Sequence, residues 1–397
     1  MPTSGTSRSC SLLTPLIHVH RCRLLMFLAA FFLLPQNASA QDLPQRDSLM
    51  YWVEALSGER LIELGGQTTR LLSRQARDSG NTQAMRYLEA QLRRWGYDVQ
   101  RDSFSQTGVN LVAGRRLDRQ AYYIFCAHFD GKDAGVGPAA DDNASGTAAV
   151  LEAARLLRDT LLPQPLRFIL WDEEELGLLG SKAYAPAALA AGDTVQGVIN
   201  MDMLAWDGDG IPRVEIHTQS DPLNAALADI LVDHVREAGH QAERISPGID
   251  ASDHGPFWAV GFPALLFIED FNGDFNPFYH TPNDAASEFD TAYFTTNAQA
   301  AYLSLLDAAG RSEVVVGDPQ QSPPHPRTYR LHVHQRQLRL HPPAAAPLSL
   351  HLYDLSGRRL WTGSIQDHIQ WTPLPAGVYI YHLHASQASW RGKLLLR

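Results

Sequence analysis

The sequence has little cysteine, no surplus of basic charge and no apolar run long enough to cross a bilayer. Of its three cysteines, Cys10 and Cys22 sit in an N-terminal leader. Cys126 stands alone beyond it, so the rest of the chain can form no internal disulfide. It lies in an apolar run and reads as a small buried hydrophobe. Acidic residues (43) outnumber basic ones (33), for a formal charge of −10. That balance argues against nucleic acid and anionic membrane surfaces as partners. The apolar run Leu24–Leu34 has eleven residues, about half of the ~20 that a spanning helix needs, and no later stretch does better, so no stable membrane insertion is expected.

What is present at the N-terminus is ordered like an export signal. Arg21 and Arg23 precede the apolar run, and Ala38-Ser39-Ala40 follows it as a small-x-small cleavage site before Gln41-Asp42. Residues 1–40 are therefore expected to be a secretory signal peptide and the protein to be secreted or displayed at the cell surface. Cleavage removes Arg8, Arg21 and Arg23 and no acidic residue, leaving 30 basic against 43 acidic side chains, a formal charge of −13.

The 397 residues suit one large domain plus an accessory module. Asn81 is positioned to cap a helix running to Arg94 or Trp95, with Met85, Leu88 and Leu92 on one face. Ala121–Ala127 is a near-continuous apolar run, as expected of a strand buried on both faces. Leu166–Trp171, Val198–Met203 and Ala264–Ile268 read the same way, the run Val198–Met203 carrying Asp202 inside the strand. Helices are expected at about 145–158, 224–238 and 295–309. Strands alternating with helices predict an α/β fold over 41–316, a mixed, mostly parallel central sheet with helices on both faces. Residues 317–327 form a proline-rich linker. Beyond it, short alternating strands and turns at Ser356-Gly357 and Pro375-Ala376-Gly377 predict a small C-terminal all-β sandwich over 328–397.

Five segments hold acids and imidazoles in unusual places: His128-Phe129-Asp130, Asp141-Asp142-Asn143, Asp172 to Glu175, Asp202 within Asn-Met-Asp-Met, and Tyr279-His280-Thr281. Open α/β sheets place ligand sites at strand ends. A carboxylate in a buried strand is costly unless it is paired or bound to a cation. Several carboxylates converging would repel, a conflict that a divalent metal resolves. Two histidines with carboxylates suit zinc, and two ions sharing one bridging carboxylate would account for the number of acids. The residues alone leave open both a metal site and a set of salt-bridged surface acids.

In order and spacing, HFD, ADDNASG, DEEELGLLGS, NMDM, SDHGPF and YHTPND resemble the motifs of the bacterial leucyl aminopeptidase and aminopeptidase Y family of co-catalytic zinc exopeptidases, over roughly residues 60–310. The resemblance implies two zinc ions, with Asp142 as bridging ligand, His128 and Asp202 on one ion, Glu175 and His280 on the other. It makes Glu174 the general base, leaves Glu173 as an extra, solvated acid, and implies a cis Asp142–Asn143 peptide. Asp130 is placed to accept the second ring N–H of His128. Asp253 and Asp284 are candidates for supporting acids, with local turn and cap bonding as the alternative, and His254 receives no ligand role. Where some members carry an oxyanion-stabilising tyrosine, this chain has Ile249. The implied substrates are peptides with free N-termini. Alternatives are a glutaminyl-cyclase-like aminoacyl transferase, a metallocarboxypeptidase and a non-catalytic binding domain. The segments LHLYDLSGRRL and PLPAGVYIYHLHAS resemble a type IX secretion sorting domain, which implies a secretion machinery as partner and passage through the outer membrane.

Overall fold

The computed structural model describes residues 43–132 and 138–310, and the strands of the C-terminal region within 330–396. The expected signal peptide and the proline-rich linker lie outside the described residues. Among the described residues no helix is long and apolar enough to cross a membrane.

The chain enters on α1 (Arg46–Leu56) and a small hairpin, β1 (Ile62–Leu64) and β2 (Gln67–Thr69). Next come α2 (Ser79–Arg94), β3 (Asp98–Ser103), β4 (Val109–Gly114) and β5 (Ala121–His128). A wide irregular turn over Ala140–Ser145 leads into α3 (Gly146–Leu156). Then follow β6 (Leu166–Trp171), α4 (Leu179–Ala190), β7 (Thr194–Met201), β8 (Arg213–His217), α5 (Pro222–Glu237), β9 (Gln241–Ile245), α6 (Gly255–Ala259), β10 (Ala264–Glu269) and α7 (Thr291–Ala309).

Eight strands form one sheet in the order β3-β4-β6-β5-β7-β10-β8-β9. Its centre, β6-β5-β7-β10, is parallel, and antiparallel pairs join β3 to β4, β4 to β6 and β10 to β8. The sheet is therefore mixed, with helices on both faces, as the sequence predicts. Alternation along β5 shows why its run is apolar throughout. Tyr123, Phe125 and Ala127 enter the core beneath α1, α2, α3, α5 and α7. Tyr122, Ile124 and Cys126 enter a second core with Trp171, Tyr184 of α4 and Phe257 of α6. With both pleat faces buried, no position favours a polar side chain. Cys126 is fully buried there, its Sγ 3.5 Å from Asn200 Oδ1.

Several boundaries differ from the sequence reading. α2 is capped by Asp78, whose carboxylate accepts the Asn81 N–H; Asn81 lies inside the helix and donates its side-chain amide to Asp172 at 2.8 Å. An aspartate accepts from the N3 amide as well as an asparagine does, so the pattern alone did not separate them. Strand β7 ends at Met201, which puts Asp202 just past the strand, although its N–H still reaches Phe267 O at 3.1 Å. Helices α5 and α7 start earlier than expected, at aspartate caps Asp221 and Asp290.

In the C-terminal region, β11 (Arg330–His334), β12 (Gln337–His341) and β15 (His368–Gln370) form an antiparallel three-stranded sheet. The strands β13 (Leu348–Tyr353), β14 (Arg359–Ile365), β16 (Gly377–His384) and β17 (Ser389–Leu396) form an antiparallel four-stranded one, in the order β14-β13-β16-β17. Leu348, Leu350, Leu352 and Ile365 are buried.

Candidate metal centre and active site

The ends of the parallel strands carry the chemistry. His128 is the last residue of β5, Asp202 follows β7, and the run Asp172–Glu175 follows β6. Because β5 lies between β6 and β7, these ends converge. The irregular turn before α3 brings in Asp142, and the loop after β10 brings in His280.

Two histidines face one carboxylate. Asp142 Oδ1 lies 3.4 Å from His128 Nε2, and Asp142 Oδ2 lies 2.9 Å from His280 Nε2. His128 Nε2 is also 3.3 Å from Asp202 Oδ1, and His280 Nε2 is 3.2 Å from Glu175 Oε2. Donor atoms of His128, Glu174 and Asp202 lie within 4.8 Å of one another, as do those of Asp142, Glu175 and His280. The structure thus brings together all five residues expected to bind metal, in the expected two groups, with Glu174 beside the first.

The electrostatics fit a cationic occupant. Burial pushes the Glu174 carboxyl well above its ordinary value, Asp253 and Asp202 add to this, and His128 opposes it. Burial likewise raises Glu175, whose Oε1 is buried without a hydrogen-bond partner. Burial alone would lower the His128 pKa, yet the surrounding carboxylates, Glu174 foremost, raise it well above its usual value. His280 is lifted to about 9 against burial by its contacts with Asp142 and Glu175. Asp142, which burial would raise, is instead held low by both histidines. A mixed set of imidazoles and carboxylates, with each histidine facing two acids, is a zinc-type donor set.

The supporting contacts fix ligand orientation. His128 Nδ1 is 3.1 Å from the backbone carbonyl of Asp130. A carbonyl only accepts, so Nδ1 carries a proton, and Nε2 is the nitrogen turned towards Asp142 and Asp202. The Asp130 carboxylate is farther from that ring, at 3.6 Å, and accepts the backbone N–H groups of Glu174 and Glu175, both at 3.2 Å. The Asp130 carbonyl is thus the nearer partner of Nδ1, its carboxylate stays within ion-pair distance, and that carboxylate also holds the turn that bears the two glutamates. Ser252 Oγ donates to Asp202 Oδ2 at 2.7 Å and accepts from Asn200 Nδ2 at 2.8 Å.

Asp284 accepts the N–H groups of Asp141 and Asp142 at 2.8 and 3.0 Å. It therefore braces Asp142 across the chain and is not a local cap. The Asp142–Asn143 peptide is cis. Asn143 Oδ1 accepts from Gly146 N at 2.9 Å, and a Cβ on Gly146 would sit 2.4 Å from that Oδ1 and 2.6 Å from Met201 O. A side chain there would force the turn away from the site. Gly180 at the start of α4 is confined in the same way, 2.2 Å from Asn110 Oδ1.

Asp253 is fully buried, and burial lifts its pKa to about 7. His254 bonds the Ile249 carbonyl at 2.8 Å and packs edge-on to Trp258; burial drops its pKa to about 3, and it is outside both ligand groups. Ile249 is 41% exposed. Glu173 corrects the expectation of a solvated acid. It is fully buried, and Arg77 grips both of its oxygens at 3.0 Å while Thr107 Oγ1 donates at 2.8 Å.

Sequence reasoning did not single out Asp141, Asp172, Ser252 or Glu269. Asp141 accepts the N–H groups of Leu204 and Ala205 and the side-chain amide of Asn276. Glu269 accepts from Ala205 and Trp206. Asp172 accepts from Asn81, Val109 and Glu173. The signal available for Asp141 and Asp172 was their adjacency to candidate ligands; Glu269 closes an apolar strand and offered none.

Residues 110–304 match the model of peptidase family M28. Aminopeptidase YwaD of Bacillus subtilis is 30% identical over 185 residues, covering 46% of this chain and 40% of that protein. Leupeptin-inactivating enzyme 1 of Streptomyces exfoliatus is 32% identical over 194 residues, covering 47% and 42%. The chain thus spans less than half the length of these relatives. Among solved structures, the LapA aminopeptidase of Legionella pneumophila superposes with a TM-score of 0.57 at 21% identity, over 68% of this chain and 73% of that one. The glutaminyl cyclase of Porphyromonas gingivalis superposes with a TM-score of 0.54 at 20% identity, over 67% and 99%. Both likenesses establish the shared fold.

Proposed function

On the premise that residues 110–304 belong to peptidase family M28, we propose that this chain is a zinc-dependent aminopeptidase that hydrolyses N-terminal residues from peptides, with two ions shared through Asp142. The observation that carries the reading is the pair of Asp142 oxygens, each facing a different histidine, 3.4 and 2.9 Å away. One carboxylate between two imidazoles is the arrangement a shared ligand needs. His128 and Asp202 would hold one ion, Glu175 and His280 the other.

When bound, the ions would lower the pKa of the attacking water and polarise the scissile carbonyl. Glu174, beside the His128 and Asp202 donors but free of the second group, takes the proton of the attacking water and returns it to the leaving amine. Its raised affinity for a proton suits an acid–base shuttle. Asp130 keeps Glu174 in reach by holding its backbone N–H. The leader pattern and the C-terminal resemblance support export, with the module addressing a secretion machinery.

The test is amino-acid release from a panel of free and N-acetylated peptides, with and without a chelator. Chelator-sensitive release from free N-termini alone is expected. Cyclisation of N-terminal glutamine without hydrolysis would transfer the assignment to the aminoacyl transferase. Release from the C-terminal end of acetylated peptides would transfer it to a carboxypeptidase. In Glu174→Gln, turnover should fall by about 10²–10⁴-fold with zinc content unchanged; near-normal turnover would remove Glu174 from the mechanism.

A further inference from the structure

The segment before α2 lies across both sides of the site, and it precedes the region matched by the family model. Arg74 is buried, and its guanidinium donates to Phe129 O at 2.8 Å, Leu56 O at 2.6 Å, Pro138 O at 3.0 Å and Ala139 O at 2.6 Å. Its backbone carbonyl accepts from Gly131 N at 3.1 Å, and Gln75 bridges Gly131 in parallel. This end of the segment is therefore tied to the chain that carries His128 and Asp130. Three residues on, Arg77 reaches the opposite side and binds both oxygens of Glu173. Asn81 then binds Asp172.

Glu173 stands where the chain turns from β6 towards the two glutamates. Its φ is +56°, a left-handed conformation that a glycine takes without strain and a glutamate does not. Its side chain is 1% exposed, whereas that of Arg77 is 52% exposed. The pair is thus a buried carboxylate gripped from the outside by a planar fork, the geometry in which guanidinium exceeds ammonium in specificity. From this anchored residue the chain continues directly into Glu174 and Glu175, whose N–H groups rest on Asp130.

We infer that Arg77 is a positioning residue for this site: by clamping Glu173 it sets the turn that presents Glu174 and Glu175 to the two ligand groups. The inference rests on the aminopeptidase reading only for its kinetic arm. Without the clamp, the Glu173 carboxylate keeps the Thr107 hydroxyl at 2.8 Å but is left buried without a counter-charge next to Asp172, Glu174 and Glu175. Such a charge relieves itself by moving towards water, which draws the adjoining glutamates out of register.

The test uses the full chain with Arg77→Met, Glu173→Gln, the double variant and Arg77→Lys. Two quantities are read: zinc affinity, by competition with a chromophoric chelator, and kcat and KM for release from a free-N-terminal peptide. Each single change should lower kcat and the weaker zinc affinity by about tenfold, with KM within about twofold. The double variant should lose no more than either single one, since both break the same contact, and Arg77→Lys should recover most of the loss. Glu173→Gln preserves shape and carries the test if Arg77→Met does not fold. Wild-type zinc affinity and kcat in the single variants would overturn the inference, as would losses that multiply in the double variant. If the unaltered protein releases no amino acid, the aminopeptidase reading fails, and the zinc titration alone decides the role of Arg77.

Discussion

The two halves of the centre are built differently. His128 and Asp202 stand at the ends of hydrogen-bonded neighbours in the sheet, with side chains 1% and 12% exposed. Glu175 and His280 sit on turns, and the His280 side chain is 23% exposed. The first half is placed by the same backbone ladder that forms the core. The second depends on side-chain supports: Asp130 to the glutamate amides and Arg77 on Glu173, both reaching in from elsewhere, and the neighbouring Tyr279 stacked on His280 at 3.6 Å. On the proposed two-ion reading, a strand-borne ligand would be in place before a metal binds, while a turn-borne ligand would need its supports.

Asp142, the residue proposed to be shared, offers the strongest way to break this contrast. Asp142→Asn removes charge from both halves at once, so both ions should be lost together and turnover should fall by about 10⁴-fold or more, several kcal/mol of barrier. Zinc analysis of the purified variant and its residual peptide release check this. One tightly held ion with substantial activity would mean that the halves are independent and that Asp142 does not bridge them.

Replacing the histidines one at a time sharpens the contrast. His128→Ala leaves Asp202 buried without its imidazole partner and Asp142 with His280 alone, so the zinc-free protein should lose about 3 kcal/mol of unfolding free energy. His280→Ala opens a partly exposed position and should lose about 1 kcal/mol or less. Denaturant titration in the presence of chelator measures both. Equal losses would show that the turn-borne half is as much a part of the folded core as the strand-borne one.

How far the site was legible in the sequence follows the same division. A strand buried on both faces announces itself as an apolar run, so the ends of β5, β6 and β7, and with them His128, the acidic run and Asp202, could be found from pattern alone. The order of six motifs then supplied Asp142 and His280. Asp130 and Asp284 could be named as candidate supports, but the partners of the supports were not legible, because each contact joins residues far apart in sequence. Arg77 meets Glu173 across 96 positions, and Asp284 meets Asp142 across 142. No local spacing distinguishes a clamped glutamate from a solvated one. The peripheral strands β8 and β9 were missed for a related reason. Strand β9 is half exposed, with the burial pattern of an edge, and β8 holds Glu215 and His217 buried against each other at 2.8 Å, so neither shows an apolar run.

Ser252→Ala carries the smallest expected effect and probes the strand-borne half through its own support. The hydroxyl donates to Asp202 Oδ2 at 2.7 Å, and its loss removes one hydrogen bond to a carboxylate. Such bonds contribute about 1.5 kcal/mol at the lower end, equivalent to about tenfold in zinc affinity. The Asp202 backbone stays anchored to Phe267 O, so the carboxylate keeps its place and the loss should reach tenfold at most. Competition titration against the Arg77→Met variant makes the comparison direct: a support in the strand-borne half should matter no more than one in the turn-borne half. If Ser252→Ala weakens zinc well beyond Arg77→Met, then the sheet does not preform its half, and side-chain supports, not backbone ladders, set the geometry on both sides of Asp142.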